Sequence, residues 1–147
     1  MTTLGKQIKD QITADLQSLV DEGLLGSVQE IDYSKDAFSA DYSAFPVAVV
    51  GMSSLESDAS DNRDNIRTYT FPILILEKSE NLNANTDMED LRDAIVNIID
   101  SDFTLAGYAV GGVLPVTSPA QTASMADKTF VYFVVTIKAR TLYTLGT

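Results

Sequence analysis

The sequence predicts an α+β fold: an antiparallel or mixed sheet of four to five strands with two amphipathic helices packed on one face. Two segments carry apolar residues at intervals of three and four, which is typical of helices with one buried side. Several shorter segments are apolar or alternate with period two, as strands do. These strands come in adjacent pairs between the helices, an order that favours helices collected on one side of the sheet.

The length and composition predict one domain, residues 1–147. A chain of 147 residues that is 45% apolar can bury one core. No apolar run approaches the roughly 20 residues of a membrane helix, and the first residues predict no signal peptide. Cysteine is absent, which excludes disulfides and fits a reducing compartment.

The first predicted helix runs from Thr3 to about Glu22. Its apolar stripe is Leu4, Ile8, Ile12, Leu16, Leu19 and Val20. Gly23 and Gly26 stand where a left-handed cap would end the helix. A short extended segment is predicted over 28–31.

The middle of the chain predicts two strands separated by long polar loops. Residues 32–44 are interpreted as a loop with dispersed aromatic residues, and residues 51–65 are interpreted as a loop because they are rich in Ser, Asp and Asn and lack periodicity. Phe45 to Val50 is an apolar strand, and Arg67 to Glu77 is a longer one. Pro72 cannot donate to a strand ladder, so this longer strand is expected to lie at an edge or to be bulged near its middle.

A second helix follows. Thr86 and Glu89 have the spacing of a capping box, and acidic residues fill the first turn, where the helix dipole favours them. The apolar stripe is Met88, Leu91, Ile95, Ile98 and Ile99. The helix is expected to end near Asp100.

The last part of the chain predicts a strand pair. Residues 108–116 are extended but interrupted by Gly111 and Gly112, which indicates a bulge or a close backbone approach. Residues 118–127 are interpreted as a loop. The longest strand follows over 128–143, with one face apolar throughout and the other turning polar at Thr136.

The residue types present argue against catalysis, and we expect no enzyme activity, cofactor or metal. Without His or Cys there is no Ser-His-Asp triad, thiol nucleophile or His metal site. Glu77 and Lys78 resemble part of a nuclease site, but neighbouring strand residues point to opposite faces. The acids at 58, 61 and 64 are three apart, whereas a calcium-binding EF-hand needs ligands two apart. A solvated acidic loop is the better interpretation.

The charge is strongly negative and unevenly distributed. The net charge is −11, which disfavours a nucleic-acid-binding surface. Residues 1–104 hold 20 acids and 7 bases, and residues 105–147 hold 1 acid and 3 bases. Either the acids simply coat solvated faces, or surfaces of opposite sign on identical subunits meet head to tail.

The order of elements resembles that of the tail terminator, or tail completion, proteins of long-tailed bacteriophages. The resemblance spans the whole chain and rests on architecture, size and acidity: a helix IKDQITADLQSLV, strands FPVAVV and RTYTFPILILE, a helix MEDLRDAIVNIID, and a closing FVYFVVTIKART. It implies a structural virion protein, made in the host cytoplasm and located in the tail or neck.

The resemblance also implies partners. A homohexameric ring would cap the tail tube and join the tail to the head, binding itself, the tail tube protein and a head–tail connector or neck protein. DNA would pass an acidic channel without specific binding, and no membrane is involved. Another connector or neck protein, or a monomeric protein-binding adaptor, remains an alternative.

Long loops and the half-polar last strand are the predicted assembly surface. We expect the segments 51–66 and 117–127 to become ordered only in the assembly. The candidate interface residues are Met52, Glu56, Asp58, Asp61, Asp64, Met125, Tyr132, Thr136, Lys138 and Arg140.

Overall fold

Two long antiparallel strands form the centre of the fold. A computed structural model describes residues 3–30, 42, 44–59, 64–78, 86–125 and 128–144. In it, β4 (Asp64–Lys78) pairs with β7 (Lys128–Thr144) without interruption from Asp64–Thr144 to Lys78–Phe130. At about 3.4 Å per residue this ladder is roughly 50 Å long. It is therefore longer than either helix that covers it.

Five shorter strands complete the sheet: β1 (Ser27–Glu30), β2 (Val47–Val50), β3 (Ser54–Ala59), β5 (Val113–Thr117) and β6 (Gln121–Met125). The order is β1-β2-β4-β7-β5, with β3 beside β4 and β6 beside β7. Only β1 and β2 are parallel among the described pairs. The α+β class with a mixed sheet is confirmed, but the sheet has seven strands where four to five were predicted.

The first helix, α1 (Leu4–Asp21), begins and ends as predicted. The hydroxyl of Thr3 accepts a hydrogen bond from the Lys6 amide at 3.3 Å. At the other end Gly23 has a φ of +83°, and the Leu24 amide donates to the Leu19 carbonyl at 2.9 Å. These bonds satisfy helix-end groups that would otherwise be orphaned.

Both helices contribute to one core with one face of the sheet. The second helix, α2 (Thr86–Ser101), buries its predicted stripe, except that Ile98 is only partly covered. The buried stripes pack with alternate residues of β4 and β7, namely Phe71, Ile73, Ile75, Phe133, Val135, Ile137 and Ala139. Within the described residues, neither helix is long and apolar enough to span a membrane.

Two segments predicted as loops contain strands, and those predictions were wrong. Residues 54–59 pair with β4 as β3, and residues 121–125 pair with β7 as β6. Ser54 to Ser57 are all exposed, so no buried face imposes an apolar alternation on their sequence. Their pairing comes from the backbone of the two long strands. That the segments 51–66 and 117–127 become ordered only in the assembly stays a prediction.

Pro72 lies in the middle of a central strand, not at an edge. Its carbonyl accepts from the Gly51 amide at 2.8 Å. Because the N–H and C=O of one residue in an antiparallel strand point to the same side, the donor that Pro72 lacks would also have faced the junction of β2 and β3. The registers Val50–Ile73 and Ser54–Thr70 leave three residues, 51–53, opposite two, Phe71 and Pro72. The irregularity that Pro72 requires is therefore in the facing chain, while the ladder with β7 stays continuous.

Residues 108–112, predicted as extended, belong to a compact turn between α2 and β5. Leu105 and Ala106 have positive φ values of 48° and 57°, and Leu105 is fully buried beneath the turn. The predicted close approach at the glycine pair is confirmed. The Gly111 amide donates to the Arg140 carbonyl at 3.0 Å, and the Arg140 amide donates to the Gly112 carbonyl at 3.1 Å.

Candidate assembly surface

The sheet has a helix face and an open face, and the open face carries half of the predicted interface positions. Odd-numbered residues of β4 and β7 pack under the helices. Because side chains alternate along a strand, the even-numbered residues lie on the other side, which we call the open face. Strand registers then assign positions on the neighbouring strands to the same face.

Charged candidates gather at one end of the open face. Glu56 of β3 pairs with Thr68 of β4, and Thr68 pairs with Arg140 of β7. Lys138 lies on the same face, two residues from Arg140. Glu56, Lys138 and Arg140 are exposed, and no ion pair within 4.0 Å involves Lys138 or Arg140 among the described residues. These two cations are thus accessible on a strongly acidic chain.

Two further candidates lie nearer the middle of that face. Thr136 is half-buried and pairs with Pro72 and Val116. The Tyr132 hydroxyl donates to the Gln121 side chain at 2.8 Å, and its ring packs on a second apolar cluster. Tyr132 is therefore held within the chain, and it contributes less accessible surface than the sequence suggested.

The remaining predicted positions are divided. Backbone register places Asp58, Asp64 and Met125 within β3, β4 and β6, and Asp61 lies outside the described residues. Met52 is exposed, but it borders a groove on the helix face. Met52 therefore lies on the other side of the sheet from the open-face candidates, because the chain crosses sides at the β2–β3 junction.

Sequence reasoning missed the apolar part of the surface. Leu114 and Val116 of β5 and Leu142 of β7 are each more than half exposed. Leu114 pairs with Lys138, and Val116 pairs with Thr136. The apolar–cationic strip consists of Leu114, Val116, Thr136, Lys138, Arg140 and Leu142. Apolar residues in strands usually predict burial, so only the missing cover on this side distinguishes them.

The other end of the open face is closed. Val47, Val49, Leu76 and Phe130 form a second buried cluster. Phe45 stacks with Phe130 at a centroid distance of 6.2 Å, and Lys78 Nζ lies 5.0 Å from the Phe45 centroid. This cover ends before the apolar–cationic strip begins. The strip is therefore a bounded patch with an apolar body and a cationic end, the composition of an interaction surface.

The neighbouring edge of β5 offers little for strand addition. The Ser118 amide donates to the Val134 carbonyl at 2.9 Å, and Arg140 bonds Gly112. Even-numbered β5 residues thus face β7, and the backbones of Val113, Pro115 and Thr117 face outward. The Val113 amide already donates to the Phe103 carbonyl at 3.0 Å. Pro115 has no N–H to donate. Contacts at this edge would therefore be made by side chains, not by backbone pairing with an added strand.

Glu77 and Lys78 do not share a face of the sheet. Glu77 is buried on the helix face and Lys78 lies on the open face, so they are on opposite sides, as predicted from their adjacency. The described residues hold no group of three or more His, Cys, Asp or Glu that could bind a metal ion. Neither Glu77 nor Lys78 is part of the apolar–cationic strip.

One carboxyl pair has perturbed acidity. Burial, together with the hydrogen bond and the charge of Asp102, raises the pKa of Asp15 to about 7. Burial would also raise the pKa of Asp102, but hydrogen bonds from Asp15, the Ala106 amide and Gln11 outweigh it and lower that pKa. The pair lies between α1 and the turn after α2, on the helix side of the sheet.

Comparisons with known proteins add no family. No protein-family model matches the chain, and no curated protein matches it significantly.

Proposed function

We propose that this protein is a structural component of a bacteriophage tail, similar to tail terminators, that forms a ring and joins the tail tube to the neck. The observation that carries the proposal is the apolar–cationic strip, where exposed Leu114 and Val116 lie beside two accessible cations. A surface of this kind is stabilised when another chain covers it. An assembly protein requires such a surface, whereas an enzyme requires a reactive pocket.

The charge distribution supports a sided assembly. The net charge of −11 keeps most of the surface repulsive toward DNA and toward other copies. Lys138 and Arg140 provide a local exception, which can select an acidic partner surface and fix its orientation. We assign the strip to contact with the tail tube or connector, leaving the sides of the domain for contacts between copies.

The test uses the full chain alone and mixed with a phage tail tube protein. Native mass spectrometry is expected to detect a hexamer, and electron microscopy is expected to reveal rings at tube ends. Val116→Glu should abolish binding to the tube while leaving the ring intact. Leu24→Glu, which changes an exposed leucine outside the strip, should preserve both. A chain that stays monomeric with and without the tube protein would refute the proposal.

A different binding result separates the alternatives. Rings that bind a head–tail connector but not a tube protein would identify another neck component. A monomer that binds a cellular protein through the strip would identify an adaptor module.

A further inference from the structure

A groove on the helix face has exposed apolar side chains at its rim. It has a volume of about 310 Å³ and lies between the start of α1 and the β2–β3 region. Among its lining residues are Lys6, Lys9, Met52, Leu55, Tyr69 and Phe71. Met52 is 64% exposed and Leu55 is 51% exposed at the rim, while Phe71 is buried at the floor. The groove therefore suits an apolar side chain.

Two lysines lie on the α1 side of the groove, each in a long contact with a carboxylate. Lys6 Nζ lies 3.7 Å from Asp10, and Lys9 Nζ lies 3.6 Å from Glu30. Both contacts are long and involve well-exposed carboxylates, so they contribute little stability and can be exchanged for other partners. The groove thus favours an apolar group that is accompanied by negative charge.

The turn after α2 presents that combination. Phe103 is 57% exposed and Val110 is 65% exposed. Asp100 is exposed in the last turn of α2, just before Phe103. The Phe103 ring lies against Gly112, at a position that a Cβ atom would occupy. The Phe103 carbonyl also accepts from Val113, so the aromatic group is positioned before any partner arrives.

These two surfaces lie at opposite edges of the sheet, on either side of α1. The groove borders α1, which packs beside β1, and it also borders β3. The turn follows α2, which packs beside β5 at the other edge of the sheet. A contact between the groove of one copy and the turn of the next would therefore be heterologous. Such contacts repeat around a ring and close when the rotation allows.

We infer that the Phe103 turn of one copy docks into the Lys6–Lys9 groove of the next copy, forming the lateral contact of the ring. This inference rests on the proposed function and identifies the subunit interface that it requires. Phe103 and Val110 cover Met52 and Leu55 of the neighbour, and Asp100 faces the lysines. The apolar–cationic strip is not used by this contact and stays available for the tube or connector.

The test exploits the absence of cysteine from the chain. Met52→Cys and Val110→Cys place single thiols on the two surfaces, each at an exposed position. The double variant, treated with a short bismaleimide, is expected to form covalent ladders up to the ring size. Each single variant should remain uncrosslinked, because the two like positions do not meet in a heterologous contact. A Leu24→Cys/Val110→Cys variant is the matched control and should give no ladder.

A disruptive variant supplies a second readout. Phe103→Glu should convert rings to monomers, and circular dichroism checks that the variant is folded. Val110→Glu serves the same purpose without altering the packing against Gly112. If wild-type rings form but the double-cysteine variant gives no ladder, the inference is wrong and the proposed function stands. If the wild-type chain forms no ring at all, both fail.

Discussion

The Gln11 side-chain amide donates a 2.9 Å hydrogen bond to the Asp102 carboxylate, joining α1 to the turn after α2. The same amide lies 3.4 Å from Asp15 Oδ1. Oδ2 of Asp15 is buried, and no donor within the described part of the chain faces it while it is ionised. Protonation of Asp15 removes this unsatisfied charge, because the carboxylic acid can then donate a hydrogen bond to Asp102. Helix α1 and the turn after α2 therefore share a proton-dependent contact.

Asp15→Asn should change how stability depends on pH. Since the pKa of Asp15 rises to about 7 on folding, the native state keeps a proton that the unfolded chain has lost above about pH 4. Stability thus falls as pH increases from about 4 to 7 and then levels off. Asn mimics the protonated acid, so the variant should be more stable above pH 7 by about 1–2 kcal/mol, allowing for solvent screening.

Urea unfolding at several pH values measures this difference. Near pH 4 the variant and the wild-type chain should have nearly equal unfolding free energies. Asp102 acts in the opposite direction: its pKa is lowered, so its contribution is lost only as pH falls below about 4. The control is Asp10→Asn, an exposed carboxylate paired loosely with Lys6. An equal pH response in both variants would contradict the assignment to Asp15.

Gly112→Ala should destabilise the turn that carries Phe103. Gly112 has a φ of +88°, and an added Cβ would meet the Phe103 ring. We expect a loss of about 2–3 kcal/mol from backbone strain and displacement of the ring. Gly107→Ala is the matched control, since its φ is +91° but nothing lies within 4 Å of the added Cβ.

Chemical denaturation of the two glycine variants separates strain from contact. Gly107→Ala should lose about 1 kcal/mol, the cost of the left-handed conformation alone. Equal losses in the two variants would mean that the Phe103 ring moves away freely. That result would also weaken the view that Phe103 is positioned before it meets a partner.

Burial explains which parts of this fold the sequence could predict. Ile8, Ile12 and Leu16 face a core, so their spacing indicates a helix, and Phe133 with Val135 likewise indicates a strand. β3 escaped prediction because Ser54 to Ser57 are exposed and their alternation carries no signal. β3 pairs with β4. No local sequence pattern shows that β4 extends beyond the helices and so offers a backbone for this pairing.

The candidate surface was predicted in part for a similar reason. Lys138 and Arg140 were identified because the change from apolar to polar residues along one face of a strand is visible in the sequence. Leu114 and Val116 did not, since exposure depends on which side of the sheet the helices cover. Phe103 was overlooked because its environment is created by Gly112 and the turn geometry. Tertiary placement decided each of these cases.

Lys78→Met should weaken the cover at the closed end of the open face. Lys78 Nζ lies 5.0 Å from the centroid of Phe45, whose ring in turn stacks on Phe130. Met keeps the apolar stem and removes the charge, so the expected loss is about 0.5–1 kcal/mol of unfolding free energy. Lys138→Met, on the exposed part of the same face, should change stability little.

A double-mutant cycle with Phe45→Leu isolates the interaction from the packing of either side chain. If the ammonium group acts through the ring, Lys78→Met should cost little once Phe45 is Leu. The coupling should persist at high salt better than that of a surface ion pair, because the Phe45 ring lies beside the second buried cluster. A coupling near zero would mean that Lys78 stabilises this end only through its aliphatic stem.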